Sequence, residues 1–291
     1  MPSFNAALLG LAASATMVLA HGHVREVVVG EKTYPGYERW AENQDMSQIV
    51  TWSFSTEDEG PVPVGKLAHP DIICHQDAQN AQAHVPIAAG GEMKVRRFNT
   101  IGGFEHPGPE LHYLASCGGS TCDQVDKESL QFVKFYEKGL VTPGLPESQV
   151  WATSEVHKNV VKVEDGWIDE FTVKIPSDTP SGNYVLRHEL FGLHRAHLQD
   201  AEFYPQCINI QVTGDNSGSL PQGTAATELY NANDAGIDLD IWVDLESYQI
   251  PGPVVATSLA TAALRTTTGN SAAVKISTSS SSHPRDFRLK N

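Results

Sequence analysis

The chain has 291 residues, 40% of them hydrophobic and 19% charged, with 24 Gly and 17 Pro. That is enough apolar material for one sizeable core, and it excludes a disordered or collagen-like chain. Twenty Lys and Arg against 35 Asp and Glu leave a formal charge of -15. This excludes nucleic acid as a partner, since no basic surface exists to release counterions from phosphate, and leaves a neutral substrate or a cation open.

Residues 1–20, MPSFNAALLGLAASATMVLA, carry no ionisable side chain. An apolar stretch from Ala6 ends in Val18-Leu19-Ala20, a small-x-small cleavage pattern, and reads as a secretory signal. It is shorter than the roughly 20 apolar residues needed to cross a bilayer. No later segment is apolar enough to span one, so a secreted, extracellular monomer beginning at His21 is expected. The four cysteines, Cys74, Cys117, Cys122 and Cys207, allow three disulfide pairings. No CxxC pair favours zinc, and an oxidising compartment favours cystine. Cys117 and Cys122 are close enough for a small clasp, which would leave Cys74 with Cys207 as a long-range staple; that pairing is preferred.

Period-two alternation dominates the middle of the chain: Phe171, Val173 and Ile175, then Tyr184, Leu186, His188 and Leu190, then Ile208, Ile210 and Val212. Such runs read as half-buried antiparallel strands. Turn clusters at 142–148 and 176–183 separate them, and no long amphipathic helix is visible. The expected fold is all-β, an immunoglobulin- or fibronectin-like antiparallel sandwich with long loops. It comprises one domain over residues 21–254, with no internal repeat or N-glycosylation sequon. From about Val255 to 291 the Ser- and Thr-rich sequence reads as a disordered tail, a candidate for O-glycosylation.

Of the twelve histidines, His69, His75, His84, His157 and His283 read as surface or structural residues, and His188 as a satisfied inward polar residue of its strand. His21 differs, because cleavage would place its amino group beside its own imidazole, two nitrogen donors that deprotonate at little cost near neutral pH. His106 stands in HPGP, whose two prolines and glycine restrict the loop and hold the ring as a ligand must be held. Downstream, RHELFGLHRAHLQDAEFYPQC gathers His188, His194, Glu202 and Tyr204 ahead of Cys207.

In these motifs the chain resembles the fungal family 9 auxiliary-activity lytic polysaccharide monooxygenases, once classed as glycoside hydrolases. The likeness runs from His21 to about Pro253. It rests on HGHV at the expected new terminus, DIICH around Cys74, HPGP followed by YLASC, LRHEL, GLH and FYPQC, and DAGIDLDIW through SYQIPGP. The resemblance implies a flat loop surface around one copper ion. The amine and ring of His21 and the ring of His106 would hold it, with Tyr204 at the axial position. Neutral nitrogen donors suit copper, which also heads the divalent affinity order. It further implies oxidative cleavage of β-1,4-linked glucan, cellulose or a relative, at carbon 1 or carbon 4. Dioxygen or hydrogen peroxide would be the co-substrate, with an external electron donor.

The family's second-shell pair is a Gln two positions before the Tyr and a His nine residues upstream of that Gln. Here Glu202 occupies the Gln position, and His194 lies eight residues before it. A carboxylate accepts hydrogen bonds but donates none while ionised, and its charge beside copper favours the oxidised ion, so copper binding with altered oxygen reactivity is expected. Glu105 replaces a common Ser. By the same resemblance Tyr248 and Tyr37 are the expected rings for stacking on sugar. Competing readings are a two-carboxylate hydrolase, for which no pair of Asp or Glu stands out, and a secreted copper protein without polysaccharide activity. A third is copper held by His21, Gly22 and His23 through backbone amides alone.

Overall fold

The computed structural model describes residues 21–261 except residues 57 and 120. The expected signal segment, His283 and most of the expected tail lie outside the described residues. The strands are β1 (His23–Val29), β2 (Lys32–Pro35), β3 (Val62–Pro63), β4 (Val85–Ala88), β5 (Glu92–Asn99), β6 (Glu110–Ser116) and β7 (Gln131–Lys138). They continue with β8 (Leu140–Thr142), β9 (Val150–Trp151), β10 (Val161–Lys162), β11 (Trp167–Lys174), β12 (Gly182–Gly192), β13 (Glu202–Thr213) and β14 (Thr224–Ala225). The two helices, α1 (Asp71–Cys74) and α2 (Ala152–His157), are short. None is long and apolar enough to cross a membrane.

Two sheets form the sandwich, one in the order β10-β11-β5-β1-β2 and one in the order β14-β7-β6-β12-β13-β3. The space between them is filled by Val24, Val27, Val95, Phe171 and Val173 from the first sheet, against Leu114, Leu186, Leu190, Ile208 and Ile210 from the second. Each such side chain contributes about 1.5–3 kcal/mol by leaving water. The alternating residues read from β11, β12 and β13 all point into this layer or its margin. A bulge in β1 sets Arg25 opposite no residue of β5, so Val24 and Val27, three apart, both face inward.

Two expectations about the strands need correction. The pairing is antiparallel except where β4 runs parallel beside β13. β11 alternates as expected, but β12 and most of β13 are not half-buried: every residue of β12 from Tyr184 to Gly192 is buried. The far face of the second sheet carries its own apolar layer, in which Val185, Phe191, Phe203 and Cys207 pack against Trp52, Ile72, Ile73, Trp151 and Tyr230 from the loops. Within that layer Arg187 and Glu189, both fully buried, form a bidentate pair. Arg187 also donates to the carbonyls of Ile72 and Ile73 at 2.9 Å each, and Tyr230 donates to Glu189. A buried charge pair with its remaining donors satisfied ties α1 and the loops to the sheet.

Both disulfides are formed, Cys74 to Cys207 and Cys117 to Cys122, with Cα separations of 5.1 and 5.3 Å. The first joins α1 to β13 across 133 residues of sequence. The packed domain extends past the expected start of the tail at Val255. Ala256 donates to the Lys134 carbonyl, and Leu259 is 1% exposed in the inter-sheet layer, with its N–H held by Asp178. Leu259, the Ser258 bond to Asp178 and the Thr261 bonds to Ser219 hold this Ser- and Thr-rich stretch to the sandwich down to Thr261.

Candidate metal centre

At one end of the sandwich the His21–Gly22 segment, the HPGP loop and the junction of β12 with β13 meet. His21 and Gly22 are strapped to the end of β5: Arg97 donates to the Gly22 carbonyl at 2.8 Å, and the Asn99 amide donates to the His21 carbonyl. Glycine is required at 22, because a Cβ there would lie 2.3 Å from the Phe98 oxygen. The His21 ring faces Asp58, its Nδ1 3.3 Å from the Asp58 carbonyl and 3.5 Å from its carboxylate.

The HPGP loop is zipped to the end of β12 by Leu193 N–H to Pro107 O and Phe191 N–H to Pro109 O. A Cβ on Gly108 would fall 2.0 Å from the Phe191 oxygen, so only glycine permits this approach. Thr153 of α2 donates to the His106 carbonyl at 2.7 Å and accepts from Gly108 N–H. The His106 imidazole is thereby laid on that of His194, with centroids 4.4 Å apart and planes at 10°, and Phe104 meets its other side edge-on.

Glu202 and Tyr204, two residues apart on β13, point the same way. The Tyr204 hydroxyl donates to Glu202 Oε2 at 2.8 Å. His106 Nε2 stands 3.5 Å from the same oxygen, and His194 Nε2 stands 3.6 Å from Oε1. One ligand atom from each of His106, His194 and Glu202 lies within 4.8 Å of the others. Burial, helped by the charges of His194 and His21, pushes His106 down to about 3, so its ring is neutral. Burial likewise pushes the Glu202 carboxyl up to about 7, against the lowering effect of the Tyr204 hydrogen bond. His106 Nε2 is buried without a hydrogen-bond partner. A neutral, rigidly held, unpartnered imidazole nitrogen has the character of a metal ligand.

The sequence profile of Auxiliary Activity family 9 (formerly GH61) matches residues 21–248. The chain belongs to this family. It is therefore a lytic polysaccharide monooxygenase, an oxidoreductase of a secreted fungal family that uses a metal, an oxygen species and a reductant on polysaccharide. AA9 family lytic polysaccharide monooxygenase E of Aspergillus tamarii is 43% identical over 252 residues, 85% of this chain and 96% of its own. Monooxygenase A of Thermoascus aurantiacus is 39% identical over 240 residues, 81% of this chain and all of its own. Among solved structures, the extended catalytic domain of H. jecorina LPMO9A (EG4) superposes with a TM-score of 0.73 at 35% identity, covering 84% of this chain and 94% of that one.

The structure gathers His106, His194, Glu202 and Tyr204 and sets His21 beside them, its ring centroid 6.4 Å from that of His106 and 6.2 Å from that of Tyr204. Glu202 is not solvent-facing, with 14% of its side chain exposed. Glu105 turns outward to His157. His23 does not join the terminus: it lies in β1, 2% exposed, between Phe54 and Phe98, with Nδ1 2.7 Å from Glu59. A site made from the first three residues alone would have to unmake that strand. His188 faces inward as read, but neither of its ring nitrogens has a partner, so it is not satisfied.

The two tyrosines expected on the enzyme's binding face are both half-buried. Tyr248 donates its hydroxyl to the Gly236 carbonyl and meets Trp151 edge-on, and burial raises its hydroxyl well above the usual range. Tyr37 has its ring edge on Phe54. Near each of them a tryptophan is more exposed. Trp242 is 53% exposed and donates its indole N–H to the His194 carbonyl at 2.9 Å. Trp40, 64% exposed beneath the Arg39 guanidinium, lines an open cavity of about 460 Å³ shared with His21 and Asp58. Trp242 lies in DAGIDLDIW, and Trp40 lies three residues after Tyr37. Loop packing decides which ring faces out, and local sequence does not encode that.

Proposed function

We propose that the mature enzyme begins at His21 and holds one copper ion through the His21 amine and ring and through His106 Nε2, with the Tyr204 hydroxyl beside it. We further propose that it cleaves β-1,4-glucan oxidatively at carbon 1, carbon 4 or both. The observation that carries this reading is the unpartnered, buried Nε2 of a neutral His106, aimed at Glu202 and next to Tyr204. Copper, when bound, supplies one-electron chemistry with dioxygen or hydrogen peroxide once an external donor has reduced it.

The protein's part is geometry, charge and proton placement. His194 stacks on His106 and fixes its plane. Glu202 accepts the Tyr204 proton at Oε2 and presents Oε1 towards His194. Trp242 and Trp40, exposed on two sides of the centre, offer flat apolar faces to the rings of a neutral polysaccharide. The surrounding acidic charge suits an uncharged glucan better than an acidic one.

The chain starting at His21, loaded with copper and given ascorbate and swollen cellulose, is expected to release oxidised oligosaccharides detectable by mass spectrometry, and His106→Ala is expected to release none. Glu202 in the usual Gln position favours one second reading, a copper protein of this fold without polysaccharide cleavage. Full copper loading with only unoxidised sugars in that assay would establish it.

A further inference from the structure

A second group of metal-type ligands lies inside the sandwich, away from the centre described above and sharing no residue with it. Glu110 and His112 occupy alternate positions of β6, and His112 is the direct cross-strand partner of His188 on β12. The three are 4%, 1% and 0% exposed. One ligand atom from each lies within 4.8 Å of the others, and Glu110 Oε1 is 2.9 Å from His112 Nε2. The imidazole centroids are 5.2 Å apart. Both ring nitrogens of His188 and Nδ1 of His112 are buried with no hydrogen-bond partner among the described residues.

Two imidazoles and a carboxylate fill three of the four positions of tetrahedral zinc and leave the fourth to a water molecule. Ligands bound to such an ion at 2.0–2.1 Å sit roughly 3.3 Å from each other; Glu110 and His112 already stand 2.9 Å apart, and His188 lies within 4.8 Å of both. The surroundings hold the rings in place: Tyr136 stacks on His112 at 4.7 Å, Phe135 flanks it, and Phe171 closes on His188 from the opposite sheet. Among the described residues no Lys or Arg forms an ion pair with Glu110; Lys138, its partner in register on β7, turns to Glu155.

We propose that Glu110, His112 and His188 form a buried second metal site, structural in character, for a zinc-like divalent ion. An ion there would satisfy one of the two orphaned nitrogens of His188 and join β6 to β12 within the larger sheet.

The probe is Zn²⁺ alone. Full-length mature chain is unfolded with its disulfides intact and refolded with Zn²⁺, so that burial does not block entry. It is then desalted and its metal content measured. Wild type is expected to retain two ions per chain, His106→Ala one, and His106→Ala combined with His112→Gln or with Glu110→Gln none. In His106→Ala, X-ray absorption at the zinc edge should show two imidazoles, and Zn²⁺ should raise the melting temperature. His106→Ala refolded in Zn²⁺ that retains no ion overturns the proposal without recourse to a second variant. So does an ion whose edge spectrum lacks imidazole, or one that survives both interior substitutions.

Discussion

The Glu202 carboxylate, 14% exposed and bonded to the Tyr204 hydroxyl, places a potential negative charge within 3.5 Å of His106 Nε2. A charge so close to a bound cation stabilises its higher oxidation state. Glu202→Gln keeps the shape and removes the charge, so potentiometry of the copper-loaded enzyme should give a higher Cu(II)/Cu(I) potential. Copper affinity or oxidase and peroxygenase rates should change by about 10–100-fold, the usual range for groups that orient metal ligands. An unchanged potential and unchanged rates would show that Glu202 is only a spacer. His106, His194, Glu202 and Tyr204 were legible because each sits in a short motif anchored to a strand end or a cysteine. Trp40 and Trp242 were not, because exposure depends on how distant loops settle. Nor was His112, whose partner His188 is brought beside it only by strand pairing.

Between elements, the stability of the loop layer rests on Arg187 and Glu189 of β12, both 0% exposed. Glu189→Ala leaves the Arg187 guanidinium buried with only the carbonyls of Ile72 and Ile73, and should cost about 3–5 kcal/mol in denaturant unfolding. Loss of less than 1 kcal/mol would mean that water reaches the pair. Removing the Cys74–Cys207 bridge by a double Ala substitution should cost roughly 4–5 kcal/mol, since it closes a loop of more than a hundred residues in the unfolded chain. Alternation gave the inward faces of β11, β12 and β13, whose apolar residues recur every second position. It did not give the second buried face of β12, because Arg187 and Glu189 look like solvent residues until their mutual pairing is seen. The β1 bulge and the parallel β4 were hidden for a similar reason: both are fixed by partner strands and leave no periodic signal.

For the molecule as a whole, acid should be destabilising through neutral buried imidazoles. Burial and the Arg97 charge lower His75 to about 3. Between that value and the unfolded value near 6.5 the unfolded chain binds a proton that the folded chain does not. This contribution to stability is therefore complete above pH 6.5 and falls by about 1.4 kcal/mol per pH unit below it. Denaturant midpoints of metal-free protein should drop from pH 7 to pH 5. His75→Asn, which removes the titrating ring, should drop less; equal slopes would place the sensitivity elsewhere. The central claim concerns the mature terminus, and copper titration of two chains tests it most directly, one starting at His21 and one retaining Ala20. The account predicts tight one-to-one binding in the first and a loss of more than about 100-fold in the second, beyond what outer contacts alone cost. Equal affinities would contradict it.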